Sequence, residues 1–305
     1  MGLTAVSHVI SLGSESSRKT VCDMQPARIP RDIFKPHLVL GWSLTAAGRV
    51  HVPFRRNVAQ HVGSDGYREV PGQVTSRDVV ADLNLYGCSF TYGTGLADSE
   101  TFASLLQTQH QDIRINNRGV PGYSSVQSYL SFESDVLNGD VQAAVFLLHP
   151  VHRIRNIPHP TRMRQFLSLD WHRAGIEHVP CCDLTSDGFS GIRYVPIWQP
   201  SLQGRPFDAF VPQEHVFERA MVQTCLAICR LAARNDIPIG FAMIDRFENA
   251  FAQQLSVLPN LIDISAPGPE YNFSPFDGHP NAKANRLFAE RLDGMVTDLK
   301  SQMAG

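Results

Sequence analysis

From about residue 79 onward, apolar runs of strand length alternate with longer segments of helical periodicity. Short continuous apolar runs are typical of strands that a parallel sheet buries on both faces. Apolar residues three and four positions apart, preceded by a polar N-cap residue, are typical of helices. The pattern predicts strands at residues 79–87, 112–117, 143–148, 237–244 and 261–265. It predicts helices at residues 99–110, with Asp98 or Ser99 as N-cap, and at residues 124–137, 215–236, 247–256 and 282–299.

This order of elements favours one α/β domain at residues 79–305, because strands that alternate with helices usually form a parallel sheet covered on both faces. We therefore predict a three-layer α/β/α fold with a flavodoxin-like parallel sheet of about five strands. Residues 1–78 lack a regular period and are predicted to form an irregular N-terminal extension packed on the domain. Residues 153–213, rich in Pro, Arg, His and aromatic residues, interrupt the alternation and are predicted to be an insertion.

Composition narrows the class of protein. The 305 residues are 43% apolar and 18% charged with a formal net charge of -2, which favours neither nucleic acid nor an anionic membrane as a partner. We find no run of about 18 apolar residues and no secretory signal pattern at the amino terminus. Six cysteines are sparse and form no disulfide framework. These features predict a cytoplasmic protein, and its oligomeric state is left open.

The segment "LYGCSFTYGTG" (85–95) places Ser89 directly after the first predicted strand. Functional sites of parallel sheets gather beyond the carboxyl ends of the strands. A serine hydroxyl becomes a good nucleophile when a histidine, oriented by a carboxylate, accepts its proton. "SPFDGHPN" (274–281) supplies Asp277 and His279 in a loop at the same predicted edge. The alternative is that Asp277 and His279 only shape a turn, which is the better interpretation of "DGH" taken alone.

A third segment at this edge, "NNRGVPGYSS" (116–125), follows the second predicted strand. Its glycines allow close approach of the backbone to a ligand. The backbone N–H groups of Gly122 and Ser89 are candidate donors to a developing oxyanion. An ordinary strand-to-helix turn would use the same residue types.

Taken together and in this order, "GCSFTYGTG", "NRGVPG" and "DGHPN" resemble the motifs of the SGNH hydrolases, the GDSL-like esterase superfamily. The resemblance covers about residues 80–297, and the upstream "LGW" and "SDGYR" resemble the lead-in of some bacterial members. It implies that Ser89 is the nucleophile, Gly122 a backbone oxyanion donor, His279 the general base and Asp277 its orienting acid. It also implies catalysis without a cofactor.

Three positions depart from the family pattern. Cys88 stands where the name-motif has Asp, and we interpret it as a packed, inert thiol, because a reactive thiolate would need a positive partner. Asp277 precedes His279 by two residues, where three is the commoner spacing. The asparagine of the third block, which completes the oxyanion hole, is absent from "HPVHRIRN" (149–156). His152 is the predicted replacement, with Asn156 as the rival and His149 as a third candidate.

The resemblance implies a serine esterase that hydrolyses an O-acyl ester of a carbohydrate or small molecule through an acyl-enzyme intermediate. Two alternatives stay open, an O-acyltransferase on the same fold and a non-catalytic binding module that kept the fold. "HVPCCD" (178–183) combines metal-ligand residue types, but its spacing fits no standard zinc site, so no metal is predicted. In the predicted insertion, the aromatic residues Trp171, Trp198 and Phe207 could line a pocket or pack the insertion onto the domain. The arginines of this segment could bind an anionic group of a substrate or face solvent; they are Arg153, Arg155, Arg162 and Arg164.

Overall fold

The structure is a computed structural model that describes residues 33–45, 48–51, 58–73, 81–168, 171–197, 212–274 and 277–303. The predicted lead-in at residues 1–30, Trp198 and Phe207 lie outside these residues. The strands are β1 (Phe34–His37), β2 (Gly41–Leu44), β3 (Gly48–His51), β4 (Ala59–Val62), β5 (Asp82–Gly87), β6 (Arg114–Gly119), β7 (Ala143–Leu148), β8 (His178–Thr185), β9 (Gly188–Pro196), β10 (Ile239–Met243), β11 (Leu261–Asp263), β12 (Asn272–Ser274) and β13 (Asp277–Pro280). The helices are α1 (Ser89–Tyr92), α2 (Phe102–Gln109), α3 (Ser125–Asn138), α4 (His152–Arg155), α5 (Pro160–Ser168), α6 (Glu214–Arg234), α7 (Asn249–Leu255) and α8 (Ala282–Met303).

The central sheet has five strands in the order β11-β10-β7-β5-β6, and every neighbouring pair is parallel. The chain starts in β5, adds β6 on one side and then builds β7, β10 and β11 on the other. This is the flavodoxin-like order, so the predicted fold class is confirmed. The order reverses between β5 and β7, and loops at such a switch point form the usual ligand crevice.

Helices cover both faces of the sheet because successive side chains of each strand point to opposite faces. Leu83 and Leu85 of β5 lie in the core formed with α2 and α8. Tyr86 faces the other side and packs in the core formed with α3, α6 and α7. Both faces of β5 are thus buried, as the near-continuous apolar run predicts.

The observed boundaries differ from the predicted ones mainly where a polar side chain has a distant partner. The N-cap of α2 is Thr101, whose Oγ1 accepts from the Ser104 N–H, so the prediction of Asp98 or Ser99 was wrong. Asp98 lies in a short 3-10 turn, and its carboxylate accepts from Arg68 instead. The strand predicted at residues 112–117 is shifted by two residues in β6. The predicted strand at residues 143–148 coincides with β7.

Residues N-terminal to the sheet contribute two antiparallel pairs, β1 with β2 and β3 with β4. Trp42 and Leu44 of β2 are fully buried in a third core, with residues of α3, α5 and β8. Arg68 bridges to Asn117 at the open edge of β6. The described part of this segment is therefore in direct contact with the domain.

The segment predicted as an insertion contains α5, a 3-10 turn at Trp171–Ala174 and the hairpin of β8 and β9. The Trp171 ring packs against the rings of Trp42 and Phe166, with ring centroids 4.7 Å and 5.5 Å away, so this aromatic residue joins the segment to the N-terminal strand β2. Among the described helices, none combines the length and the apolar composition that a membrane span requires.

Candidate active site

Ser89 begins the four-residue helix α1, which follows β5 after one extended residue, Cys88. The connection is tight because glycines end the two neighbouring strands. A side chain at Gly87 would collide with the Thr91 hydroxyl, and a Cβ atom at Gly119 would lie 2.5 Å from the Tyr92 nitrogen. The two glycines therefore let α1 sit against β5 and β6, which presents Ser89 at the carboxyl edge of the sheet.

Arg68 anchors the turn after α1. Its guanidinium donates to the carbonyl oxygens of Tyr92 at 2.7 Å, Gly93 at 2.6 Å and Leu96 at 2.7 Å, and its Nε donates to Asp98 at 2.9 Å. The last carbonyl groups of a helix have no donor within the helix, and the Arg68 guanidinium provides the missing donors here. Sequence reasoning did not assign this role, and the only signal was the resemblance of "SDGYR" to a lead-in motif.

His279 and Asp277 share the short strand β13, which pairs with β12. His279 Nδ1 lies 2.8 Å from Asp277 Oδ1, and the His279 backbone N–H donates to the same oxygen at 3.1 Å. The next residues lead into α8, where Asn281 Oδ1 accepts from the N–H groups of Lys283 and Ala284. Asn281 thus caps α8, and this cap fixes the end of the segment that carries the histidine.

The structure brings Ser89, His279 and Asp277 together. His279 Nε2 lies 2.9 Å from Ser89 Oγ. An ionised carboxylate only accepts hydrogen bonds, so the proton of the neutral imidazole is assigned to Nδ1, facing Asp277. Nε2 then carries the lone pair and accepts from the Ser89 hydroxyl. This geometry allows proton transfer from Ser89 to His279 while Asp277 stabilises the resulting imidazolium.

Gly122, the second predicted backbone donor, lies in the loop between β6 and α3 with a φ of +88°. A Cβ atom there would approach the Trp42 ring to 3.1 Å, so both the backbone conformation and the space favour glycine. Neither the Gly122 N–H nor the Ser89 N–H has a hydrogen-bond acceptor among the described residues. Among the described residues, both of these backbone donors are thus unpaired.

His149, His152 and Asn156, the three candidates for the third oxyanion donor, differ in whether their side-chain nitrogens already have hydrogen-bond partners. His149 Nδ1 accepts from the Val151 N–H at 3.0 Å, so its proton is on Nε2, which lies 3.2 Å from Asp245 Oδ2. Burial lowers the pKa of His149. Both ring nitrogens of His149 are engaged, which disfavours it as a donor to a ligand.

His152 and Asn156 each have a buried side-chain nitrogen without a hydrogen-bond partner among the described residues. His152 is 1% exposed, its Nδ1 lies 3.5 Å from Ser125 Oγ, and its Nε2 has no hydrogen-bond partner among the described residues. Burial, and next the nearby His149, hold the pKa of His152 well below its usual value, so this ring is neutral at pH 7. Asn156 Oδ1 accepts from the Val126 N–H at 3.1 Å, while its Nδ2 is unpaired.

Cys88 is 1% exposed. The Arg155 guanidinium lies beside its thiol, so the positive partner that a reactive thiolate requires is present. The group within hydrogen-bond distance of His279 Nε2 is nevertheless the Ser89 hydroxyl, at 2.9 Å. The geometry therefore favours Ser89 as the group that His279 deprotonates.

The cysteines of "HVPCCD" lie in β8 as buried thiols. Burial raises the pKa of Cys181 to about 12 and that of Cys182 to about 11, so both are protonated at neutral pH. Within the part of the chain that the structure describes, no group of three or more His, Cys, Asp or Glu side chains is arranged to hold a metal ion.

No protein-family model and no curated protein sequence matches this chain. Solved structures do match it. The chain is similar to GDSL-type esterases and lipases. One is the psychrotrophic esterase EstA from a Pseudoalteromonas species, in a structure inhibited by monoethylphosphonate, with 13% identity, 72% of this chain and 99% of that chain covered, and a TM-score of 0.44.

Two further solved structures match this chain at similarly low identity. A GDSL-like lipase from Bacteroides thetaiotaomicron has 11% identity over 74% of this chain and 92% of its own, with a TM-score of 0.41. The acetyl xylan esterase AlAXEase has 16% identity over 70% of this chain and 99% of its own, with a TM-score of 0.40. All three of these matches are below 20% identity and below a TM-score of 0.5.

Proposed function

We propose that this protein is a serine esterase that cleaves an O-acyl ester through an acyl-enzyme intermediate. The observation that carries the proposal is the 2.9 Å contact between Ser89 Oγ and His279 Nε2, with Asp277 on the opposite ring nitrogen. A nucleophile, a base and an orienting acid in hydrogen-bond contact are the arrangement that acyl transfer requires. A module that only bound a ligand would have no need of this arrangement.

In the proposed first step, His279 accepts the Ser89 proton as Oγ forms a bond to the ester carbonyl carbon. The carbonyl oxygen becomes an oxyanion, which the N–H groups of Ser89 and Gly122 stabilise, because both are free to donate. The imidazolium then protonates the leaving oxygen, and the alcohol departs. In the second step His279 deprotonates water, which attacks the acyl-enzyme and releases the acid as Ser89 regains its proton.

The third oxyanion donor is proposed to be His152, with Asn156 as the alternative. A neutral imidazole donates one hydrogen bond as well as an amide does. His152 supports this role because its buried Nε2 has no other partner. Asn156 has a free Nδ2 as well, but its Oδ1 is already committed to the amino end of α3.

The proposed substrate class is an O-acyl ester of a carbohydrate or another small alcohol, following the resemblance of the three sequence motifs. No cofactor takes part in the proposed steps. The acceptor of the acyl group decides between a hydrolase and an acyltransferase, because the same acyl-enzyme can react with water or with a second alcohol.

A screen of aryl and acetylated sugar esters of different chain length tests the proposal. The wild type should hydrolyse short-chain esters, Ser89→Ala should not, and Ser190→Ala in the exposed β8–β9 hairpin should match the wild type. Mass spectrometry with an added sugar acceptor separates the products, since hydrolysis gives free acid and transfer gives a new sugar ester. A folded wild type that cleaves none of these esters would contradict the proposal and favour a binding module.

A further inference from the structure

Three consecutive carbonyl groups of the loop that carries Gly122 each accept a hydrogen bond from a side chain of a different element. The pairs are Pro121 O with Trp42 Nε1 at 3.2 Å, Gly122 O with Arg162 Nη2 at 2.6 Å, and Tyr123 O with Arg155 Nη1 at 3.1 Å. We infer that Trp42, supported by Arg162 and Arg155, is a positioning residue that aims the Gly122 N–H at the oxyanion. This inference rests on the proposed function and adds a determinant from outside the parallel sheet.

The geometry of the peptide unit connects Trp42 to the Gly122 N–H. No peptide bond among the described residues is cis, and in a trans peptide the C=O and N–H groups point in opposite directions. Pro121 C=O and Gly122 N–H belong to one peptide unit. The indole that holds Pro121 O on one side therefore turns the Gly122 N–H to the other side.

The remaining donors of the loop are occupied. The Tyr123 N–H donates to Val120 O at 3.1 Å, and the Ser124 N–H donates to Gln127 Oε1 at 2.9 Å. The Gly122 N–H has no such acceptor among the described residues. The three carbonyl contacts thus fix the loop in a conformation that leaves the Gly122 N–H available to a ligand.

Trp42 is itself rigidly held. Its side chain is fully buried, and its ring lies against the Cα of Gly122, as the 3.1 Å approach of a Cβ atom there indicates. Tyr123 Oη donates to the Trp42 carbonyl at 2.7 Å, and the rings of Tyr123 and Trp171 pack on the indole. A donor that is fixed before the reaction needs no reorganisation when charge develops.

The two arginines add positive charge behind the loop. Arg162 is 4% exposed, and neither Arg162 nor Arg155 forms an ion pair with a carboxylate among the described residues. The Nε atoms of both are buried without a hydrogen-bond partner. Burial, and next the nearby Arg155, lower the pKa of Arg162, yet a guanidinium stays protonated in proteins. A buried cation without a counter-ion is costly, and an oxyanion formed in this loop would offset part of that cost.

Trp42→Phe is the most direct test, because it removes the indole N–H and keeps an aromatic ring. We expect kcat for an aryl ester to fall about tenfold with KM changed less than about twofold, since loss of a whole donor costs roughly 100- to 1000-fold. An arylboronic acid, which forms a tetrahedral adduct with an active-site serine, should bind about tenfold more weakly. The matched control is Tyr129→Phe, because it removes an aromatic hydrogen-bond donor that pairs with Glu133 within α3, and it should keep both values.

The outcomes separate the two proposals. A folded Trp42→Phe protein with wild-type kcat and boronate affinity overturns the positioning role and leaves the esterase proposal intact. A folded wild type that neither cleaves esters nor binds the boronate overturns both. If Trp42→Phe does not fold, Arg162→Gln tests the next carbonyl contact, where a lowered kcat with retained KM supports the inference and unchanged kcat overturns it.

Discussion

His279 Nε2 lies 2.9 Å from Ser89 Oγ although 190 positions separate the two residues. The contact forms because β5 and the segment before α8 end at the same edge of the sheet. Asp277 on the far side of the ring sets the tautomer that this contact needs. The esterase proposal depends on this arrangement, and each of its parts can be changed separately.

Replacing Asp277 by Asn should lower kcat by roughly 100- to 10,000-fold with little change in KM. The amide can donate to Nδ1, which places the imidazole proton on Nε2 and removes the lone pair that faces Ser89. Steady-state kinetics with an aryl ester measure the effect. Asp187→Asn, in the turn between β8 and β9, is the control, and a value of kcat for Asp277→Asn within threefold of wild type would exclude Asp277 as the orienting acid.

His152→Ala should lower kcat by about 100-fold while KM changes by less than about threefold, because one donor to the oxyanion is lost. His149→Ala should keep kcat within threefold, since both of its ring nitrogens are engaged elsewhere. If His152→Ala keeps its kcat, Asn156 becomes the candidate. Asn156→Ala must then be compared at equal folded fraction, because loss of its contact with the amino end of α3 also costs about 1 kcal/mol.

His152 should also make the stability of the fold depend on pH. Burial holds its folded-state pKa well below the ordinary value of 6.5, so below pH 6.5 the unfolded chain binds more protons than the folded one. The free energy of unfolding should therefore fall as the pH falls, by up to about 1.4 kcal/mol per pH unit from this group.

Urea titrations at pH 7.5 and 5.5 measure this dependence. His149, whose pKa burial also lowers, acts in the same direction in wild type and variant, so their difference isolates His152. The loss of stability between the two pH values should be about 1 kcal/mol smaller in His152→Ala. An equal loss in both proteins would mean that His152 is not held neutral by burial.

Arg68→Met should lower the free energy of unfolding by about 3–5 kcal/mol, because it leaves the buried Asp98 carboxylate without its main cation. It also frees three carbonyls after α1. Arg114→Met is the matched control, since the Arg114 pair with Asp82 is half-exposed and should contribute less than about 1 kcal/mol. Similar losses in the two variants would contradict the anchoring role of Arg68.

Much of the sheet could be predicted from local pattern because its strands are buried on both faces. The run "AAVFLL" has no polar residue, and β7 matches the prediction residue for residue. β6 was predicted two residues early because its last residues are polar. Asn117 is satisfied by Thr91 O and the Gly119 N–H, and Arg118 pairs with Asp135. Thr91 and Asp135 belong to other elements, so no local pattern indicates that the strand continues through Arg118.

Some residues of the candidate site could likewise be predicted from local pattern, and others could not. Ser89, His279 and Gly122 follow strands or precede a helix, so the rule for the carboxyl edge of a parallel sheet brings them together before any coordinates are known. Trp42 and Arg162 could not be found like this, because they act on carbonyls 79 and 40 residues away. Trp42 belongs to the "LGW" segment and Arg162 to the arginine-rich insertion, but neither pattern indicates which carbonyl the side chain binds, and only packing reveals the contact.

The most direct test of the central claim is covalent labelling with a fluorophosphonate, followed by mass spectrometry of the intact protein and its peptides. The wild type should gain one adduct, located on Ser89, and His279→Ala should react at least about 100-fold more slowly because the hydroxyl has lost its base. Ser89→Ala should not react, while Cys88→Ala should react like the wild type. A folded wild-type protein that gains no adduct, or gains it at Cys88 or elsewhere, would contradict the assignment of Ser89 as the nucleophile.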